Sequence, residues 1–222
     1  MGYEVIRSRR RRRYISTRVA PDGKVQILVP YGTSDEQIRD VIAKNKDWID
    51  RQVEAAKSKG TERSDALSAP PDELPLMGKM LPVSHEPPYG LRSHRFHVPD
   101  VPLSELTDYL SRLYRSLAEP MLTERTYDLA RQHGFSIMSV TVRTAHTRWG
   151  SCSSRKKISL SWRLIAAPPE AIDYVIIHEL CHTLHMDHSK EFWAEVDRIV
   201  PGRKRAEAML KDTELLLYMY GL

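Results

Sequence analysis

The segment from Pro168 to Leu184 constrains this chain more than any other. Ile172, Val175, Ile176, Ile177, Leu180 and Leu184 cover nearly the whole circumference of a helix, and a helix that is apolar all round has to be buried in a folded domain. Pro168 and Pro169 open it, with Glu170 in the first turn, where a negative charge suits the macrodipole. Yet this apolar stretch carries His178-Glu179-Leu180-Cys181-His182. Two imidazoles and a carboxylate are costly to bury without compensation, and a bound metal ion supplies it.

The spacing of those residues fits hydrolytic metal chemistry. Residues four apart share a helix face, so His178 and His182 can bind one ion, while Glu179, one step round, can reach a water on that ion. A zinc ion held by three protein ligands keeps a position for water and lowers the pKa of that water to about 7. Glu179 would then act as the general base. For the third ligand His188 is favoured, provided that the helix ends near His185 or Met186 and the chain turns back. His185 can also approach, Glu191 and Glu195 are carboxylate alternatives, and Asp187 or His185 can support the ligands from behind. Cys181 should face away from the ion.

The flanking segments read as a mixed α+β protein. Ile15 to Val19 and Val25 to Val29 alternate around Asp22-Gly23, a β-hairpin pattern. Ser34 with Gln37 forms a capping box for a helix from about Ser34 to Lys57. A polar, proline-containing linker follows near 58–76, then short strands between Met77 and Pro102. From Ser104 a helix carries Leu106, Leu110, Leu113 and Leu117 on one face; Pro120 should kink or divide it, and Gly134 should cap it. Ile137 to Arg143 and Lys157 to Arg163 look like strands, joined by a loop with Arg148, Trp149, Gly150 and Cys152. Ser189 caps a helix bearing Phe192 and Trp193, Pro201 stops it, and a last helix spans about Arg203 to Leu217. The expected division is 1–103, a β-rich region with one helix and the linker, and 104–222, the metal-binding domain.

With 222 residues, 41% of them hydrophobic and 28% charged, the chain suits one large or two small globular domains. No window approaches the roughly 18 apolar residues of a membrane span, and no secretory signal is visible, so an intracellular, cytoplasmic protein is expected. Two cysteines, Cys152 and Cys181, are too few for a disulfide framework. The net charge of +5 reflects Arg7 and Arg9 to Arg13, a run that is usually a solvated face but offers a nucleic-acid contact. A second reading therefore stands beside the peptidase: a zinc-stabilised nucleic-acid-binding protein without catalysis. Oligomeric state is not readable from the sequence.

Arg148-Trp149-Gly150-Ser151-Cys152-Ser153, then Tyr174-Val175-Ile176-Ile177-His178-Glu179-Leu180-Cys181-His182, then His188-Ser189-Lys190-Glu191-Phe192-Trp193 together resemble the YgjP-like metallopeptidases. These are a zincin family related to the SprT-like and Wss-type proteases. Asp22-Gly23 and Pro30-Tyr31-Gly32 are similar to the N-terminal region of that family. The resemblance implies a zincin-like domain acting on a peptide or protein substrate, with His178, His182 and His188 on Zn2+ and Glu179 as the catalytic carboxylate. Metzincins share the histidine spacing but have glycine where this chain has His185, and no methionine turn is identifiable. By analogy with zincins, the Lys157 to Arg163 strand is the candidate for pairing with an extended substrate, and Arg148 and Trp149 are candidate cleft residues. Cys152 is read as a small packed residue rather than a nucleophile.

Overall fold

The computed structural model describes residues 3–8, 14–19, 24–55, 71–145 and 147–222. The chain is α+β and divides into two compact units, Met1–Ser68 and Ala69–Leu222. In the first, strands β2 (Ser16–Val19) and β3 (Val25–Pro30) pair antiparallel, with Thr17 opposite Ile27. The Asp22-Gly23 turn and the Arg9 to Arg13 run lie outside the described residues. A strand not expected from the sequence, β1 (Tyr3–Ser8), pairs parallel with β3 on its other side. Val25, Ile27 and Val29 point into a core completed by Ile38, Ile49 and Val53.

Helix α1 (Asp35–Lys44) has the expected cap: Ser34 Oγ accepts from Gln37 N, and Gln37 Oε1 accepts from Ser34 N. The helix does not run unbroken to Lys57. It stops at Asn45, whose side chain donates to the Val41 carbonyl at 2.7 Å, and a second helix, α2, covers 46–55. Arg7 is committed within this unit, donating to the Thr33 carbonyl at 2.6 Å and to Asp35 at 2.9 Å. It ties β1 to the start of α1 rather than presenting a free guanidinium.

The second unit begins earlier than the expected boundary at 103/104. Strands β4 (Glu73–Leu76), β5 (Lys79–Ser84), β6 (Gly90–Arg92) and β7 (Arg95–His97) form a sheet in the order β4-β5-β7-β6. Part of the stretch read as linker is thus a strand. Leu74, Phe96 and Val98 share one buried cluster with the long helix α3 (Leu103–His133) and with everything beyond it. Tyr114 of α3 is fully buried, stacks on Phe96 at 5.5 Å and donates its hydroxyl proton to the Pro75 carbonyl at 2.6 Å. At the β4–β5 turn the Met77 and Gly78 amides donate to the Ile165 and Ala166 carbonyls. Gly78 is required there: its φ is +73°, and a Cβ would sit 2.8 Å from Pro168.

Pro120 does not divide α3, which is one 31-residue helix ended by Gly134 in the left-handed region. Ala118 and Leu122, on either side of the proline, are both buried in the core, and their packing holds the two halves together. The third sheet has the order β8-β10-β9, from β8 (Ser139–Arg143), β9 (Gly150–Cys152) and β10 (Lys157–Ser161). Trp162–Ala166 is a 3-10 turn that leads into α4 (Pro169–Cys181). Helices α5 (Lys190–Ile199) and α6 (Arg203–Met219) complete the unit. Among the described residues no helix is long and apolar enough to cross a membrane.

Candidate metal centre

Helix α4 is buried as its composition requires: Ile172, Tyr174, Val175, Ile176, Ile177, Leu180 and Cys181 are all in the core. It ends earlier than expected, at Cys181, with His182 as its cap. The Thr183 and Leu184 amides bond back to the Leu180 and Cys181 carbonyls, and the His185 amide also bonds to Cys181. These tight turns reverse the chain and bring His188 to the end of α4. Ser189 then opens α5, its Oγ accepting from Phe192 N at 3.3 Å. Removing that cap in Ser189→Ala should cost about 1 kcal/mol, read as a lower denaturant midpoint with unchanged slope.

Among the described residues one group of side chains could hold a metal: His178, His182 and His188, whose ligand atoms all lie within 4.8 Å of one another. His178 Nε2 and His188 Nε2 are 3.1 Å apart. The His182 Nδ1 lies 2.9 Å from the His185 carbonyl, which leaves its Nε2 free as a lone-pair donor. Burial and the two neighbouring imidazoles push His178 down to about 4, so its ring is neutral at pH 7, the form that ligates. Three convergent imidazoles form a donor set well suited to zinc. The His178 Nδ1 is buried without a hydrogen-bond partner.

The other residues considered as ligands stand outside this cluster. His185 contributes its backbone carbonyl, and Glu195 forms a two-pronged ion pair with Arg198. Asp187 acts only through its charge, raising the pKa of His182 against the lowering by burial, and Glu191 is exposed. Cys181 is fully buried, with its thiol pushed up to about 12 by burial. The Cys152 thiol is pushed up to about 11 by burial and the nearby Glu179 charge, so it stays protonated and is no nucleophile at neutral pH.

Glu179 is 6% exposed. Burial pushes its carboxyl up to about 7, against the pull of the Arg148 guanidinium. It lines a cleft of about 420 Å³ together with His178, Arg148, Trp149, Gly150 and Tyr174. Gly150 had carried no role of its own in the sequence, yet a Cβ on it would lie 2.7 Å from both Cγ and Oε1 of Glu179. Strand β9 therefore runs directly against the carboxylate. It is an edge strand, whereas β10 is flanked by β8 on one side and β9 on the other. The expectation that the Lys157 to Arg163 strand pairs with substrate is corrected accordingly: both edges of β10 are taken, and Trp162 and Arg163 have left the sheet for the 3-10 turn.

Aromatic rings close the centre from the α5 side. Phe192, fully buried, has its centroid 4.9, 4.4 and 4.9 Å from those of His178, His182 and His188. Trp193 stacks on His188 at 5.5 Å and 23°. Nothing in the local sequence marks either residue as part of the site; the contacts arise only when α5 folds back on α4.

A buried helix with paired imidazoles, a neighbouring carboxylate and a third imidazole from the following turn place the protein among the metallopeptidases. The YgjP-like metallopeptidase domain matches residues 13–213, and the chain belongs to that family. A solved structure, the metallopeptidase zymogen abylysin of Pyrococcus abyssi, is similar at 25% identity over 40% of this chain and 87% of that one, with a TM-score of 0.35. No curated relative matches the chain.

Proposed function

We propose that the protein is a zinc peptidase in which His178, His182 and His188 hold the ion and Glu179 is the general base. The observation that carries this reading is the convergence of three imidazoles within 4.8 Å at the end of the buried helix α4, where Glu179, the residue after His178, faces the same cleft as His178. When bound, zinc supplies Lewis acidity toward the scissile carbonyl and lowers the pKa of a bound water to about 7. Glu179 takes the proton of the attacking water and returns it to the leaving amine. Its burial keeps bulk water from competing for that proton. An extended substrate pairs with the open edge of β9, beside the carboxylate, and Arg148 and Trp149 flank it.

A closed structural zinc site takes four protein ligands. Among the described residues three donors gather here, which supports catalysis over the nucleic-acid-binding alternative. In the test, purified protein should carry about one zinc per chain by elemental analysis and cleave a generic peptide library. A strong chelator should abolish cleavage, and stoichiometric zinc should restore it. Cleavage that survives complete removal of the metal would defeat the proposal.

A further inference from the structure

His188 is the odd member of the triad. His178 lies within α4 and His182 caps it, with its Nδ1 2.9 Å from the His185 carbonyl, whereas His188 is exposed and sits in the loop before α5. Its ring stacks on Trp193 at 5.5 Å and 23°, and the same indole lies 5.7 Å from His178. The Trp193 indole is itself held: the Arg203 guanidinium carbon lies 4.2 Å from its ring centroid. Arg203 belongs to the first turn of α6, and its guanidinium is fixed in turn. It donates to Asp197 Oδ1 at 2.7 Å and to Glu207 Oε1 at 2.9 Å, and the same Glu207 oxygen accepts from the Tyr174 hydroxyl at 2.9 Å.

We infer that Arg203 is a positioning residue for the metal centre: pinned by Asp197 and Glu207, it clamps the Trp193 ring against His188 and presets the loop histidine for the ion. This rests on the metal-site reading above. The physical case is that a cation over an indole face is attractive and directional. A guanidinium with two carboxylate partners also has little freedom left, so the indole beneath it has little as well. A loop ligand held in place before binding gives up less conformational freedom when the ion arrives, and residues behind the ligands typically change metal affinity about 10- to 100-fold.

The test is zinc affinity, measured by competition with a chromophoric chelator on the full chain, together with the visible spectrum of the cobalt(II)-substituted protein and the thermal midpoint of the metal-free form. Trp193→Leu should weaken zinc binding by about 10-fold or more and alter the cobalt spectrum, whereas Trp193→Phe, which keeps a stacking ring, should retain most of the affinity. Arg203→Gln should weaken binding in the same direction, Arg203→Lys should recover part of it, and Arg203→Gln should add little in the Trp193→Leu background. Metal-free midpoints of Trp193→Leu and Arg203→Gln near that of the wild type separate the loss of affinity from general unfolding. If the wild type binds zinc and Arg203→Gln matches it in affinity and cobalt spectrum, the clamp is refuted while the metal centre stands. A wild-type protein that takes up no zinc refutes both.

Discussion

Glu179→Gln is expected to lose peptide hydrolysis by about 10² to 10⁴ in kcat while its zinc content stays at the wild-type value. Glutamine has the shape of glutamate but cannot accept the proton of the attacking water, and the three imidazoles are untouched. Glu179 is 6% exposed, beside His178 in one cleft, and no other described carboxylate joins the ligand cluster. Glu207 lines the same cleft but is occupied by Tyr174 and Arg203. Steady-state kinetics on a fluorogenic peptide, with metal analysis of the same sample, decide the matter. A variant that keeps zinc and hydrolyses at the wild-type rate would remove Glu179 from the reaction.

Gly150→Ala is expected to cost about 10² in kcat, again with zinc retained, although residue 150 touches no ligand. The added methyl would stand 2.7 Å from Cγ and Oε1 of Glu179 and 3.0 Å from Cδ. Contact that close is not tolerated, and Cγ is too near the helix to swing aside freely. The backbone of β9 is held at Leu160 by sheet pairing, so the carboxylate yields and leaves its working position. Because both substitutions act through one group, the double variant Gly150→Ala/Glu179→Gln should be no slower than Glu179→Gln alone. Full activity in Gly150→Ala would show that the carboxylate needs no such close fit.

What was legible in the sequence was what short-range chemistry writes there. The capping residues Ser34 and Ser189 sit next to the helices they start, and the apolar circumference of α4 is a property of thirteen consecutive residues. The family could be read from residues lying close together along the last third of the chain, and the match to residues 13–213 agrees with it. What was not legible depends on contacts between distant segments. The parallel pairing of β1 with β3 joins Val5 to Ile27, and neither residue carries a mark of the other. The pressure of Gly150 on Glu179, and the reach of Arg203 to Trp193, exist only once β9 and α6 have packed beside α4. The early end of α4 is similar: neither glycine nor proline follows His182, so the bends that return His188 come from turn hydrogen bonds at 180–185 rather than from a breaker.

The hairpin of β4 and β5 makes the smallest self-sufficient version of the peptidase larger than its motif-bearing half. A fragment starting at 104 would strip Phe96 and Leu74 off α3, orphan the phenol of Tyr114 and leave the Ile165 and Ala166 carbonyls facing water at the doorstep of α4. A fragment of this chain meant to keep the α4 site should therefore start no later than residue 71, so that the helix bearing His178 and Glu179 keeps its abutment.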